Sequence, residues 1–228
     1  MCLTLCSTRT ASPPVNLGVR PYKYMHALFV HGMGRTPLSG LPLLWQLRRA
    51  GIKTGTFGYF AGAESFSRIS ERLAVKVVAL AARNDYVLIG HSLGGVLIRA
   101  VVNSLPSGTR QPSHVFLLGS PIQASRLAQR LQNNLAYRLL TRDCGQLLGS
   151  SSRMSEVSRI SVPTTSIVGV RGLGARGGPF RGELNDGIVS VSEASAEWLT
   201  EQVQIPCVHT LLPASRSVGK VILERLAR

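Results

Sequence analysis

The chain has 228 residues, 44% of them hydrophobic, which suits one globular domain with a well-buried core. Its formal net charge is +15, from 22 arginines and 4 lysines against 11 acidic residues. There is no apolar run of 18 residues, so no membrane-spanning helix is expected, and the scattered arginines match no nucleic-acid-binding module. The plainer reading of the charge is an arginine-leaning surface composition. Attraction to an anionic membrane surface is the alternative. Cys2, Cys6, Cys144 and Cys207 show neither metal-ligand spacing nor a dense disulfide framework, so free thiols are expected.

Residues 1–24 have no basic start and only a short apolar patch, so they read as a disordered leader rather than a signal peptide. With no export signal legible, a cytoplasmic location is expected, peripheral at a membrane if the charge acts there. The folded pattern opens at Met25, a candidate start site, and one domain over 25–228 is expected. A short strand over residues 26–31 ends in His31-Gly-Met-Gly34. Pro37 opens a helix to about Ala50, and Ile52 to Phe60 reads as a second strand. Phe66, Ile69, Leu73, Val77 and Leu80 are spaced 3, 4, 4 and 3 apart, which makes 64–83 a helix with one buried face. Strands at 86–90 and 115–118 follow, the second ending in Gly-Ser-Pro121.

Residues 122–158 form a small helical insertion. Leu127, Leu131, Leu135 and Leu139 make an i, i+4 stripe on one helix, with Arg126, Arg130, Arg138 and Arg142 elsewhere on it. Such a stripe suits a lid over a site or a lipid surface; the preferred reading is an ordinary surface helix resting on the core. A strand over 164–170 leads into a loop, 171–185, with five glycines and three arginines. The last strand covers 203–208, placed at a sheet edge by Pro206, and an amphipathic helix over 214–227 closes the chain. Strands alternating with helices predict an α/β fold with a mainly parallel sheet and sites at the carboxyl ends of its strands.

The most informative stretch is Gly90-His-Ser-Leu-Gly-Gly95, set between an apolar strand and an apolar helix. Gly-x-Ser-x-Gly in that setting is a nucleophile elbow: a sharp turn that projects the Ser92 hydroxyl from its tip. Gly90 and Gly94 are expected to press backbone against backbone around the serine. The following helix aims free N–H groups at the site, where a developing oxyanion would be stabilised.

A serine hydroxyl needs an imidazole to take its proton. Of five histidines, His26 and His114 lie at the wrong strand ends, and His91 is expected to point away. His31 lies near the site, in a turn that suits a structural hydrogen bond. His209, just past the last strand, is the favoured base. A carboxylate should orient it. Of three aspartates, Asp85 is at the wrong end of the sheet and Asp143 lies in the insertion, leaving Asp186, with Glu183 as the fallback. The order Ser92, Asp186, His209 matches this kind of site. The backbone N–H groups of Leu93 and Met33 are the candidate oxyanion donors.

Together, His31-Gly-Met-Gly34, Gly90-His-Ser-Leu-Gly-Gly95, Leu118-Gly-Ser-Pro121, Asn185-Asp-Gly-Ile-Val189 and Val208-His-Thr210 resemble the small α/β-hydrolases, particularly lipases, esterases and inositol-deacylase-like hydrolases. The resemblance covers about residues 26–227. It implies an α/β-hydrolase fold with helices on both sheet faces, an acylated Ser92, a triad completed by Asp186 and His209, no cofactor, and small-molecule or lipid acyl esters as substrates. The strands that precede the His-Gly strand in larger relatives are not expected here, and 122–158 is shorter than a full lid domain. A thioesterase or acyltransferase with the same triad is the alternative; a non-catalytic basic binding module on the same scaffold is the more distant one.

Overall fold

The computed structural model describes residues 25–172, 174 and 178–228. The leader expected over 1–24, with Cys2 and Cys6, lies outside the described residues.

Six strands form one sheet: β1 (Met25–Val30), β2 (Lys53–Phe57), β3 (Asp85–His91), β4 (His114–Leu118), β5 (Thr164–Gly169) and β6 (Glu201–Ile205). Their order is β2-β1-β3-β4-β5-β6, and every neighbouring pair is parallel. Alternate residues serve opposite faces. Leu28, Val30, Leu88, Val115 and Leu117 enter one core, while Ala27, Phe29, Ile89, Phe116 and Leu118 enter the other. Burial on both faces explains why β3 and β4 read as continuous apolar runs.

Helices α1 (Leu41–Arg49) and α7 (Arg216–Leu226) cover the second face; α2 (Phe66–Ala81) and α3 (Leu93–Ser104) cover the first. In α2 the predicted stripe is the buried one: Ile69, Leu73 and Val77 are fully inaccessible. Ser65 caps the helix by accepting from the Arg68 N–H at 3.3 Å. Pro37 starts a short 3-10 turn rather than the long helix expected, and α1 begins only at Leu41.

The insertion departs from expectation. It consists of α4 (Arg126–Leu131), α5 (Leu135–Gly149) and α6 (Ser151–Glu156). The single leucine-striped helix does not form, because Asn134 stops it and caps the next: its Oδ1 accepts from the Tyr137 N–H at 3.0 Å. The break splits the stripe. Leu127 and Leu131 turn inward over a cavity, whereas Leu135 and Leu139 are exposed. The expectation of a single continuous helix is therefore corrected; the insertion still rests on the core through Cys144, Leu147, Leu148 and Met154, while Leu127, Ala128, Leu131 and Tyr137 lie as a roof over the cavity at the carboxyl end of the sheet. A second break lies inside α5, where Arg142 has φ 42° and ψ −130°.

The roof is pinned from below. Arg99 on α3 is buried and donates to the carbonyls of Val157, Pro121, Ile122 and Ser158. Desolvation lowers its pKa to about 10, which leaves it charged at neutral pH. Buried Glu193 accepts from the N–H groups of Arg126 (2.6 Å) and Ser190 (2.7 Å). Glu183 pairs with the Arg126 guanidinium at 2.9 Å and accepts from the Ser192 N–H at 2.7 Å.

Candidate active site

The strand order reverses between β1 and β3, which opens a crevice at their carboxyl ends. Val30 is in register with Gly90, so the His31–Gly34 turn and the Ser92 turn emerge side by side. Ser92 has φ 53° and ψ −124°, a sterically disfavoured conformation for a residue with a side chain. It is held there by its own N–H donating to Leu118 O at 2.9 Å and by Gly95 N–H donating to its carbonyl at 3.0 Å. A Cβ at Gly90 would lie 2.7 Å from the Gly94 carbonyl carbon, so strand and helix meet there as backbone. Gly94 has a different neighbour from the one expected: its Cβ would run into the Val30 and His31 carbonyls of β1.

Asp186 and His209 come from separate loops and meet. Asp186 Oδ2 is 2.7 Å from His209 Nδ1, and His209 N–H donates to Asp186 O at 2.8 Å. Asp186 Oδ1 accepts from the N–H groups of Ile188 (2.9 Å) and Val189 (2.7 Å). That turn needs Gly187, whose φ is 100°. Both side chains are buried, Asp186 at 1% exposure and His209 at 7%. The carboxylate oxygen accepts from Nδ1, which leaves Nε2 as the ring nitrogen not engaged by Asp186.

Ser92 and His209 line the same cavity, of about 260 Å³. Its roof is Leu127, Ala128, Leu131, Tyr137 and Leu148; Met33 and Arg35 are on the β1 side. Among the described residues the Ser92 hydroxyl makes no hydrogen bond, so it is not yet docked on the imidazole. Leu93 is the first residue of α3, so its N–H has no partner within the helix and faces the elbow. Met33 lines the cavity, in a turn closed by Arg35 N–H donating to Gly32 O at 3.2 Å.

His31 has the structural role its turn suggested. Tyr59 N–H donates to its Nε2 at 3.3 Å, which places the proton on Nδ1, and this donates to Gly32 O at 2.9 Å. Tyr59 also stacks on the ring at 4.3 Å and donates its hydroxyl to the His31 carbonyl at 2.8 Å. Glu183, the fallback acid, is taken up by Arg126 and Ser192.

No family model matches this sequence, and no curated protein matches it. Solved structures do. The mature lipase BlEst2 of Bacillus licheniformis superposes with a TM-score of 0.73 at 17% identity, covering 94% of this chain and 96% of that one. The thioesterase RedJ of the Streptomyces coelicolor prodiginine pathway gives 0.61 at 17% identity, over 98% and 91%. A lipase-esterase related protein of Clostridium acetobutylicum gives 0.59 at 14% identity, over 92% and 97%. The chain has the α/β-hydrolase fold.

Within this α/β-hydrolase fold three residues bear on the site beyond those the sequence singled out. His91, expected to point away, packs against His209 with ring centroids 4.7 Å apart, and donates from Nε2 to the His209 carbonyl at 3.1 Å. That correction arises because the residue before Ser92 still belongs to β3, whose alternation directs it toward the face where the His209 turn lies. Arg35 ties the β1 turn to the same loop by donating to Thr210 O at 3.1 Å. Gly119, with φ 51°, sits beneath the pair: a Cβ there would lie 2.7 Å from Asp186 Oδ2 and 3.0 Å from His209 Nδ1. Its motif was visible in Leu118-Gly-Ser-Pro121, but its neighbours were not.

Two expectations follow from this geometry. Gly119→Ala wedges apart the carboxylate and the imidazole, so kcat should fall by about 10²-fold with KM little changed, since a displacement near 1 Å is costly in a positioned site; steady-state kinetics checks this. The second concerns pH. Burial pushes the imidazoles of His31 and His91 down, His91 furthest; for His91 the proximity of His209 and Arg35 adds to the effect and its hydrogen bond to the His209 carbonyl opposes it. The unfolded chain then takes up protons near pH 6.5 that the folded chain refuses, so stability rises with pH through this range. Tm should be level above about pH 7 and fall as pH drops below about 6.5, and His91→Asn should make that fall shallower. Thermal melts across the range read both.

Proposed function

We propose that the chain is a serine hydrolase that cleaves carboxylic esters through an acyl-enzyme on Ser92. The observation that carries this reading is that a serine at the strained tip of a strand-to-helix turn shares a cavity with an imidazole whose other nitrogen is tied to a buried carboxylate. The hydroxyl rotates onto His209 Nε2, which takes its proton as Ser92 Oγ attacks the ester carbonyl. The carbonyl oxygen becomes an oxyanion held by the Met33 and Leu93 N–H groups, each contributing about 3 kcal/mol. The tetrahedral adduct expels the alcohol, which takes the proton from His209. Water then gives a proton to His209, attacks the acyl group and releases the acid, restoring Ser92. Asp186 holds the imidazole in the tautomer this requires and stabilises its protonated form.

The leucine-lined cavity favours an apolar acyl group, and its volume, about 260 Å³, favours a short one, free or as part of a lipid. The neighbours named as a lipase and a thioesterase support acyl transfer to water as the shared chemistry. The thioesterase also supports the second reading, in which the leaving group is a thiol. A fluorophosphonate probe should label Ser92, located by peptide mass spectrometry; an unlabelled Ser92 in folded protein removes the proposal. Matched series of p-nitrophenyl esters and acyl thioesters of rising chain length then separate the two leaving groups.

A further inference from the structure

Four large apolar side chains on and near the start of α5 are exposed. Leu135 (69% exposed), Leu139 (64%) and Leu140 (73%) crowd the first six residues of α5. Phe60 (67% exposed) lies near the same turn, since a Cβ on Gly62 would come 3.0 Å from its ring and 3.1 Å from the Leu140 carbonyl oxygen. Contiguous exposed apolar surface of this kind marks an interaction site.

The charge around it is one-sided. Arg138 and Arg142 lie exposed on the same segment and make no ion pair among the described residues. The nearest acid in sequence, Asp143, is turned inward, where it accepts from the Phe66 N–H at 2.7 Å and pairs with Arg153 at 2.8 Å. The helix changes direction at Arg142, held at φ 42°, so the turns before it stand away from the buried half that follows. Of residues 135–141 only Tyr137 and Thr141 are not exposed.

We infer that the outer turns of α5, with Phe60, dock on an anionic phospholipid surface. Leucines and a phenylalanine enter beneath the head groups while the arginines meet lipid phosphates, and the net charge of +15 draws the chain to such a surface. A second copy of the chain is the poorer occupant, since an isologous contact would set these unpaired arginines against each other. Docking this way brings the bilayer to the roof whose inner side, Leu127, Leu131 and Tyr137, lines the cavity beside Ser92. The inference rests on this surface and not on the proposed chemistry, so Ser92→Ala protein should bind equally.

The test is co-sedimentation of the full chain with phosphatidylcholine vesicles, with and without phosphatidylglycerol. The chain should pellet with the anionic vesicles only, and rising salt should release it. Leu139→Glu/Leu140→Glu should weaken partition by about tenfold or more, and Arg138→Glu should weaken it less. Neither variant should alter the thermal melt or hydrolysis of a soluble short-chain ester, since none of these residues lines the cavity. No pelleting with anionic vesicles, equal partition to both vesicles, or undiminished binding by the glutamate double variant each overturns the inference. So does a dimer in sedimentation velocity that the double variant dissociates, which would assign the patch to a second copy.

Discussion

Ser92→Ala should lower kcat for ester hydrolysis by about 10⁴- to 10⁶-fold while leaving the protein folded. The size follows from the chemistry: without Oγ no acyl-enzyme forms, and only the cavity and the two N–H donors remain to assist water. The fold should survive because what holds the turn is backbone, the Ser92 N–H on Leu118 O and the Gly95 N–H on Ser92 O, and alanine keeps both. Its Cβ inherits the strain of φ 53°, whereas glycine would relieve it. Ser92→Gly should therefore be equally inactive and more stable by about 1 kcal/mol. Pre-steady-state kinetics with a chromogenic ester reads the first effect, as loss of the acylation burst, and denaturant melts read the second. Activity of the alanine variant near that of the parent would remove Ser92 from the chemistry.

Asp186→Asn should come next, with kcat reduced by about 10⁴-fold. The asparagine oxygen can still accept from the Ile188 and Val189 N–H groups, so the turn is kept. Its amide NH₂ then faces His209 Nδ1 and must donate to it. The imidazole answers by moving its proton to Nε2, the nitrogen that should be bare to receive the Ser92 proton. The geometry survives and the base is lost. Glu183→Gln is the matched control: Glu183 serves Arg126 and Ser192, so its loss should destabilise the roof yet leave the pH dependence of kcat as it was. If Glu183→Gln, and not Asp186→Asn, abolished turnover, the assignment of the acid would be wrong.

Much of this was legible in sequence wherever the determinants are local. The spacing in α2, the apolar runs of β3 and β4 and the glycines of the elbow each depend on neighbours a few residues away. Asp186 and His209, chosen by elimination among few histidines and aspartates, do lie within hydrogen-bond distance of each other. Three of the failures share a cause. That Gly119 supports the Asp186–His209 pair, that Gly94 is required by β1, and that His91 touches His209 across 118 residues of chain are facts about segments distant in sequence. The leucine stripe misled for another reason: its period was correct, but a side-chain cap at Asn134 outweighed it and redirected half the leucines. Capping is local and could have been weighed; where the two halves went could not.

The two glutamates beneath the roof set the limits of its motion. Arg126 and the 190–193 turn hang from Glu183 and Glu193, and the same stretch of chain supplies the Asp186 carboxylate. Lifting α4 would strip a buried acid of its donors and tug on the turn that orients His209. Helix α4 is therefore tied from below through two carboxylates, whereas the outer turns of α5, before the bend at Arg142, are joined to the inner half by the Tyr137 hydroxyl donating to the Gly145 carbonyl at 3.4 Å.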